Sequence, residues 1–101
     1  MKFRLLTNDG DTLTGMRLAG IEGELALSAQ EGIPALERAL SDKETGIIII
    51  NQSLASLMEK TLLEVKKTSA ALIVEIPDKN SDGADTDSIT KYVADAIGIK
   101  I

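Results

Sequence analysis

The stretch Gly46–Asn51, GIIIIN, places four consecutive isoleucines between a glycine and an asparagine. A β-branched run without polar alternation is typical of a strand that is covered on both faces. Four residues are too few for a buried helix. The sequence therefore predicts a buried strand at about residues 46–51, in the centre of a sheet with helices on both sides.

Strand-like and helix-like segments alternate on either side of this stretch. Short apolar segments predict three more strands, at about residues 2–7, 23–28 and 72–76. Helical spacing of apolar residues predicts helices over Asp11–Ala19, Pro34–Ser41 and Ser53–Lys67. Asp11 is the expected N-cap of the first helix, Gly20 its expected end, and Pro34 is expected in the first turn of the second helix. Because the strands are separated by helices, we expect an α/β fold with a small, doubly wound, four-stranded parallel sheet of order 2-1-3-4, as in receiver and Rossmann-like domains.

The composition changes after Pro77. Residues 1–77 are expected to form the α/β domain, whereas residues 78–87, DKNSDGADTD, predict a flexible acidic linker. Residues 88–101 predict a tethered C-terminal helix and tail, with apolar residues at helical spacing: Ile89, Tyr92, Val93, Ala96 and Ile97. We expect this helix to dock beside the first helix, over the third and fourth strands, and to be the least stable element of the fold.

The composition argues against catalysis and against nucleic-acid binding. The 101 residues include no cysteine and no histidine, so thiol nucleophiles and histidine bases are excluded. A net charge of −5 disfavours phosphate backbones, and two aromatic residues offer little stacking surface. No segment has the length and hydrophobicity of a membrane span or the pattern of a signal peptide, so we expect a cytoplasmic protein without direct membrane insertion.

Ligands of doubly wound sheets bind where the strand order reverses, here between Asn8–Asp11 and Asn51–Ser53. A phosphate cradle is disfavoured because the glycines, spaced every five residues at 10, 15 and 20, match neither common phosphate-loop pattern. A phospho-receiver could take metal ligands from Asp9 and Asp11, but its phosphoacceptor position is Asn51, whose amide cannot accept a phosphoryl group as a carboxylate does. A flavin site lacks both phosphate donors and aromatic residues.

The linker contains a partial match to a calcium-binding loop. Residues 78–83, DKNSDG, fit its first half, but the required glutamate is replaced by Ile89. We therefore assign no catalytic, cofactor-binding or metal-binding residues, and we expect neither calcium nor a nucleotide to bind tightly.

The segment Thr14–Ile21, TGMRLAGI, resembles the T-G-F-R-L-A-G-I signature of the F subunit of V-type and archaeal A-type rotary ATPases. The isoleucine strand, the sequence Glu75-Ile76-Pro77 and a last helix ending near Gly98-Ile99 are similar to that family and occur in the same order. Met16 stands in place of the usual phenylalanine and can fill similar apolar space.

This resemblance implies a non-catalytic subunit of the central stalk. Such a subunit binds the coiled-coil D subunit, helps couple ATP turnover to ion transport, and modulates the catalytic hexamer through its C-terminal helix. It would lie at the cytoplasmic side of the membrane, held there by the ATPase complex, with no cofactor of its own. The residues themselves leave two alternatives open, which are a receiver-like signalling module without a phosphoacceptor and a flavodoxin-like electron carrier.

Overall fold

The computed structural model describes residues 2–78, which form a four-stranded parallel sheet. The strands are β1 (Lys2–Thr7), β2 (Glu22–Leu25), β3 (Thr45–Asn51) and β4 (Leu72–Ile76). Their order is β2-β1-β3-β4, and each neighbouring pair is parallel. The predicted sheet is confirmed, whereas most of the predicted linker and the predicted C-terminal helix lie outside the described residues.

The isoleucine strand is buried from both sides. Ile48 and Ile50 belong to an apolar cluster on one face of the sheet, and Ile47 and Ile49 belong to a cluster on the other face. The most exposed of the four, Ile47, has 5% of its surface accessible. Alternating side chains of one strand therefore supply both halves of the core, which confirms the prediction made from GIIIIN.

Within residues 2–78, four helices lie on the two faces of the sheet: α1 (Gly10–Leu18), α2 (Ala29–Ser41), α3 (Gln52–Leu57) and α4 (Glu59–Thr68). Buried residues of α2, α3 and α4 share the cluster of Ile48 and Ile50, whereas Met16 of α1 belongs to the cluster on the opposite face.

The first helix is capped by Asp9, so the prediction of Asp11 as N-cap is wrong. The Asp9 carboxylate accepts hydrogen bonds from the backbone N–H of Thr12 at 3.0 Å and from its hydroxyl at 2.7 Å. Asp11 lies exposed in the first turn, where its negative charge interacts favourably with the positive end of the helix dipole. The helix therefore begins one residue earlier than predicted.

The second helix begins at Ala29, five residues before the predicted Pro34. Ser28 is its N-cap and accepts a hydrogen bond from the backbone N–H of Glu31 at 3.3 Å, while the Glu31 carboxylate accepts one from the N–H of Leu27 at 2.8 Å. This reciprocal arrangement is a variant of the capping box, and Ser-x-x-Glu is its sequence signal. β2 ends at Leu25, three residues before this N-cap, so the prediction of a strand reaching residue 28 is wrong.

The third predicted helix is divided at Met58 into α3 and α4. The N–H of Met58 bonds to the carbonyl of Ala55, three residues back, so the chain tightens there before α4 begins. Met58 is buried against α2 at Gly32, where an added Cβ would lie 2.5 Å from the Met58 sulfur. The predicted apolar face still packs on the sheet, with Leu54 and Leu62 buried.

Candidate functional site

Four polar residues meet at the carboxyl ends of β1, β3 and β4, at the point where the strand order reverses. We call Asn8, Asn51, Ser53 and Asp78 the edge cluster. Asn8 follows β1, Asn51 ends β3, and Asp78 comes two residues after the end of β4. Because the carboxyl ends of parallel strands share one edge, three separate parts of the chain converge here.

Asn51 is the centre of the edge cluster and is 3% exposed. The two N–H groups of its side-chain Nδ2 are shared among three acceptors, which are Asn8 Oδ1 at 2.7 Å, Asp78 Oδ1 at 2.7 Å and Ser53 Oγ at 2.9 Å. Its Oδ1 accepts from the backbone N–H of Asn8 at 3.2 Å. Both polar atoms of this buried side chain are therefore engaged by the chain itself, as burial requires.

Asp78 places a carboxylate inside the edge cluster. Its Oδ1 accepts from Asn51 Nδ2, from the Ser53 hydroxyl at 2.8 Å and from the Ser53 backbone N–H at 3.1 Å. Partial burial acts to raise the pKa of Asp78, but these hydrogen bonds favour the charged form and lower the pKa below its usual value of 3.8. Donors of Asn51 and Ser53 that could otherwise meet an anionic ligand are thus engaged by the protein's own carboxylate.

The residues weighed for phosphoryl or metal chemistry are placed as follows. Asn51 occupies the end of the third strand, where a receiver would carry its acceptor aspartate. Asp9 caps α1, and Asp11 lies exposed in the first turn of that helix. Within residues 2–78, no three acidic, histidine or cysteine side chains lie close enough together to hold a metal ion.

Sequence reasoning anticipated the crevice and the position of Asn51 but missed Asp78 as part of it, because that residue was assigned to the linker. The sequence carries no local signal for this contact, because it depends on how β3 and β4 pair. In the structure Ile76 pairs in register with Asn51, so a polar residue two positions further along lies within reach of the same sheet edge.

The signature segment forms the end of α1. Gly20 adopts a positive φ of 91°, and its N–H bonds to the carbonyl of Arg17 while the N–H of Ile21 bonds to that of Met16. These two bonds define a Schellman motif, in which a glycine is favoured because the left-handed conformation strains other residues. Ile21 packs with Met16 in the same apolar cluster, as this motif commonly requires. Gly20 therefore ends the helix as predicted.

Several residues of the signature are exposed and do not serve the core, among them Arg17 and Leu18. Leu18 has 85% of its surface exposed, and Arg17 is exposed in the last turn of α1. Arginine there complements the helix dipole, but an exposed leucine has no role in packing the described domain.

The polypeptide from residue 2 to residue 78 contains no helix that is long and apolar enough to cross a membrane.

Comparison with known proteins places the chain in a family. The family described as ATP synthase (F/14-kDa) subunit matches residues 6–93. The F subunit of the A-type ATP synthase of Methanococcus maripaludis is 31% identical over 98 residues, covering 95% of each chain. The corresponding protein of Pyrococcus furiosus is 33% identical over 104 residues, covering 96% of this chain and 95% of that protein. That of Thermococcus kodakarensis is 29% identical over 106 residues, covering 100% and 98% of the two chains. The similarity thus extends over nearly the whole length of this chain and of its relatives, and the chain belongs to the family of the ATP synthase (F/14-kDa) subunit.

Proposed function

We propose that this protein is the F subunit of an A-type or V-type rotary ATP synthase and acts as a non-catalytic part of its central stalk. The observation that carries the proposal is the family match over residues 6–93, together with relatives that are named as F subunits of A-type ATP synthases and align along nearly their full length. The protein binds the coiled-coil D subunit and turns with it, so that ATP turnover and ion transport are coupled through the pair.

The chemistry of the crevice supports a binding role. Asn51, Ser53 and Asp78 form hydrogen bonds with one another, and an amide occupies the position at which a receiver carries its phosphorylated carboxylate. Catalysis belongs, in this proposal, to the hexamer that the stalk enters. The protein is held at the cytoplasmic side of the membrane by the complex.

The segment 88–97 is proposed to contact the catalytic hexamer and to modulate ATP hydrolysis. In this proposal its stripe packs over the apolar face of β3 and β4 on the α1 side, where Ile47, Ile49, Val74 and Ile76 belong to one buried cluster. A short helix gains only a few kcal/mol from burying modest side chains, after the cost of ordering it. Exchange of residues 88–97 between this surface and the hexamer is therefore energetically accessible.

Affinity purification of the tagged chain from its native cells tests the assignment. We expect the D subunit and the catalytic subunits of the rotary ATPase to be recovered with it. Recovery of a histidine kinase or a transcription factor without ATPase subunits would instead support a receiver-like module and contradict the proposal. A yellow protein with bound flavin would support the electron-carrier alternative.

The role of the last segment is tested by a matched pair of variants in the reconstituted complex. Val93→Asp places a charge on the apolar stripe, whereas Lys91→Asp introduces the same residue off the stripe. We expect Val93→Asp to change the ATP hydrolysis rate of the assembled complex and Lys91→Asp to leave it close to wild type. Equal effects of the two substitutions would count against a specific contact by the stripe.

A further inference from the structure

We propose that Asp78 is an anchor, which ties the chain to the sheet edge immediately after β4 and fixes the point from which residues 79–101 begin. Asp78 is held within the edge cluster by Asn51 and Ser53. This proposal is independent of the family assignment, because it concerns only the contact between Asp78 and the sheet.

The geometry of Asp78 carries this inference. A strand that ends at Ile76 could release the chain at Pro77, but the carboxylate of Asp78 accepts three hydrogen bonds of 2.7–3.1 Å from Asn51 and Ser53. Its partners are rigidly placed. Asn51 is buried at the end of a central strand, and the backbone N–H of Ser53 belongs to α3. Hydrogen bonds to a charged group are stronger than those between neutral groups, so these bonds hold the chain to the sheet edge two residues after β4.

The partners of Asp78 are distant in sequence, so this contact is tertiary and does not depend on the local conformation of the chain around Asp78. Asp78 lies 27 residues from Asn51 and 25 residues from Ser53. The same contact includes Asn8, because the Nδ2 of Asn51 donates both to Asn8 Oδ1 and to Asp78 Oδ1. A proline at position 77 limits the backbone before Asp78 but does not bind it to the sheet, whereas the edge cluster does.

Because the natural sequence contains no cysteine, two introduced cysteines can carry spin labels without background. One label replaces Lys43, an exposed residue that precedes β3 at the opposite edge of the sheet, and the other replaces Asn80, two residues after Asp78. We expect a narrow distance distribution in the full-length chain and a broader one after Asp78→Ala. Asp82→Ala, which removes the same charge further along, serves as control and should leave the distribution unchanged.

A second pair of variants addresses the contact itself. Asn51→Asp is nearly isosteric but turns the amide donor towards Asp78 into a second carboxylate, so repulsion should broaden the distribution. Combining Asn51→Asp with Asp78→Asn exchanges donor and acceptor between these two side chains, and the Asn8 amide can turn its Nδ2 towards the new carboxylate in place of its Oδ1. The double variant should therefore show a narrower distribution than Asn51→Asp alone. Loss of amide-exchange protection at Ser53 in the single variant, and its recovery in the double variant, should follow the same pattern.

The proposal is overturned if folded Asp78→Ala keeps the wild-type distribution, if Asp82→Ala broadens it as much, or if the exchanged pair fails to narrow it. If Asp78→Ala does not fold, the exchanged pair decides. The measurements use the isolated chain, so the anchor can fail while co-purification with the ATPase succeeds, and the reverse also holds.

Discussion

The substitution Gly23→Ala is expected to weaken the fold at the edge of the sheet. Gly23 of β2 lies opposite Leu5 of β1, and an added Cβ would lie 2.6 Å from the carbonyl oxygen and 2.7 Å from the Cβ of Leu5. Carbon atoms pack favourably at about 3.5–4.0 Å, so the strands would have to separate by roughly 1 Å. Leu5 is fully buried and cannot retreat, which forces β2 to move.

Overpacking of this kind costs about 1–3 kcal/mol, and we expect the upper part of that range because the contacts include backbone. Alanine also lowers the entropy of the unfolded chain, which offsets about 0.4–1 kcal/mol. The net loss of about 2 kcal/mol corresponds to a fall in Tm of roughly 8–16 °C for a domain of this size.

Gly10→Ala is the matched control. Gly10 begins α1, has no positive φ, and an added Cβ there meets no atom within 4 Å. It should stabilise the protein by at most about 1 kcal/mol. Urea and thermal unfolding followed by circular dichroism measure both variants. The reasoning is refuted if Gly23→Ala stays within about 0.5 kcal/mol of wild type, the range of a neutral surface change, or if the two variants are destabilised equally.

Three further predictions concern the core and the edge cluster. Overpacking by Gly32→Ala should cost about 1–3 kcal/mol, because the new Cβ would lie 2.5 Å from the buried Met58 sulfur, and the higher helix propensity of alanine should offset about 1 kcal/mol of this cost. In urea unfolding, the loss after combination with Met58→Ala should be smaller than the sum of the two single losses, and strict additivity would contradict the contact. Ile48→Asp should prevent folding at neutral pH, as measured by far-UV circular dichroism, because it buries an unpaired charge in a fully buried position; Ile48→Val, its control, should cost only about 0.5–1.5 kcal/mol. Hydrogen bonds to Asn51 and Ser53 outweigh burial and lower the pKa of Asp78 below 3.8, so its stabilising contribution is present above that pH and is lost as the pH falls through the folded-state value. The Tm difference between wild type and Asp78→Asn should therefore be largest near neutral pH and should disappear in acid. A difference that does not change with pH would contradict a charged anchor.

Several features of this protein were determined by the sequence itself because their signals are local. Four isoleucines without polar alternation are typical of a strand that is covered on both faces. The alternation of strands with helices then predicts a parallel sheet and its strand order. The segment around Gly20 predicted a helix end because a left-handed residue is needed at that position, and glycine adopts it without strain. The position of Asn51 at the end of β3 followed from the same strand assignment.

Other features were decided by the tertiary structure. The break at Met58 has no proline or glycine to announce it, and it lies where Met58 packs against Gly32 of α2. The N-cap at Asp9 depends on which of two neighbouring aspartates faces the free N–H of Thr12. The sequence around Asp78 resembles a solvated linker, because a polar run carries no mark of its distant partners. Asp78 becomes part of the domain only when β3 and β4 pair in register and bring its carboxylate to the donors of Asn51 and Ser53.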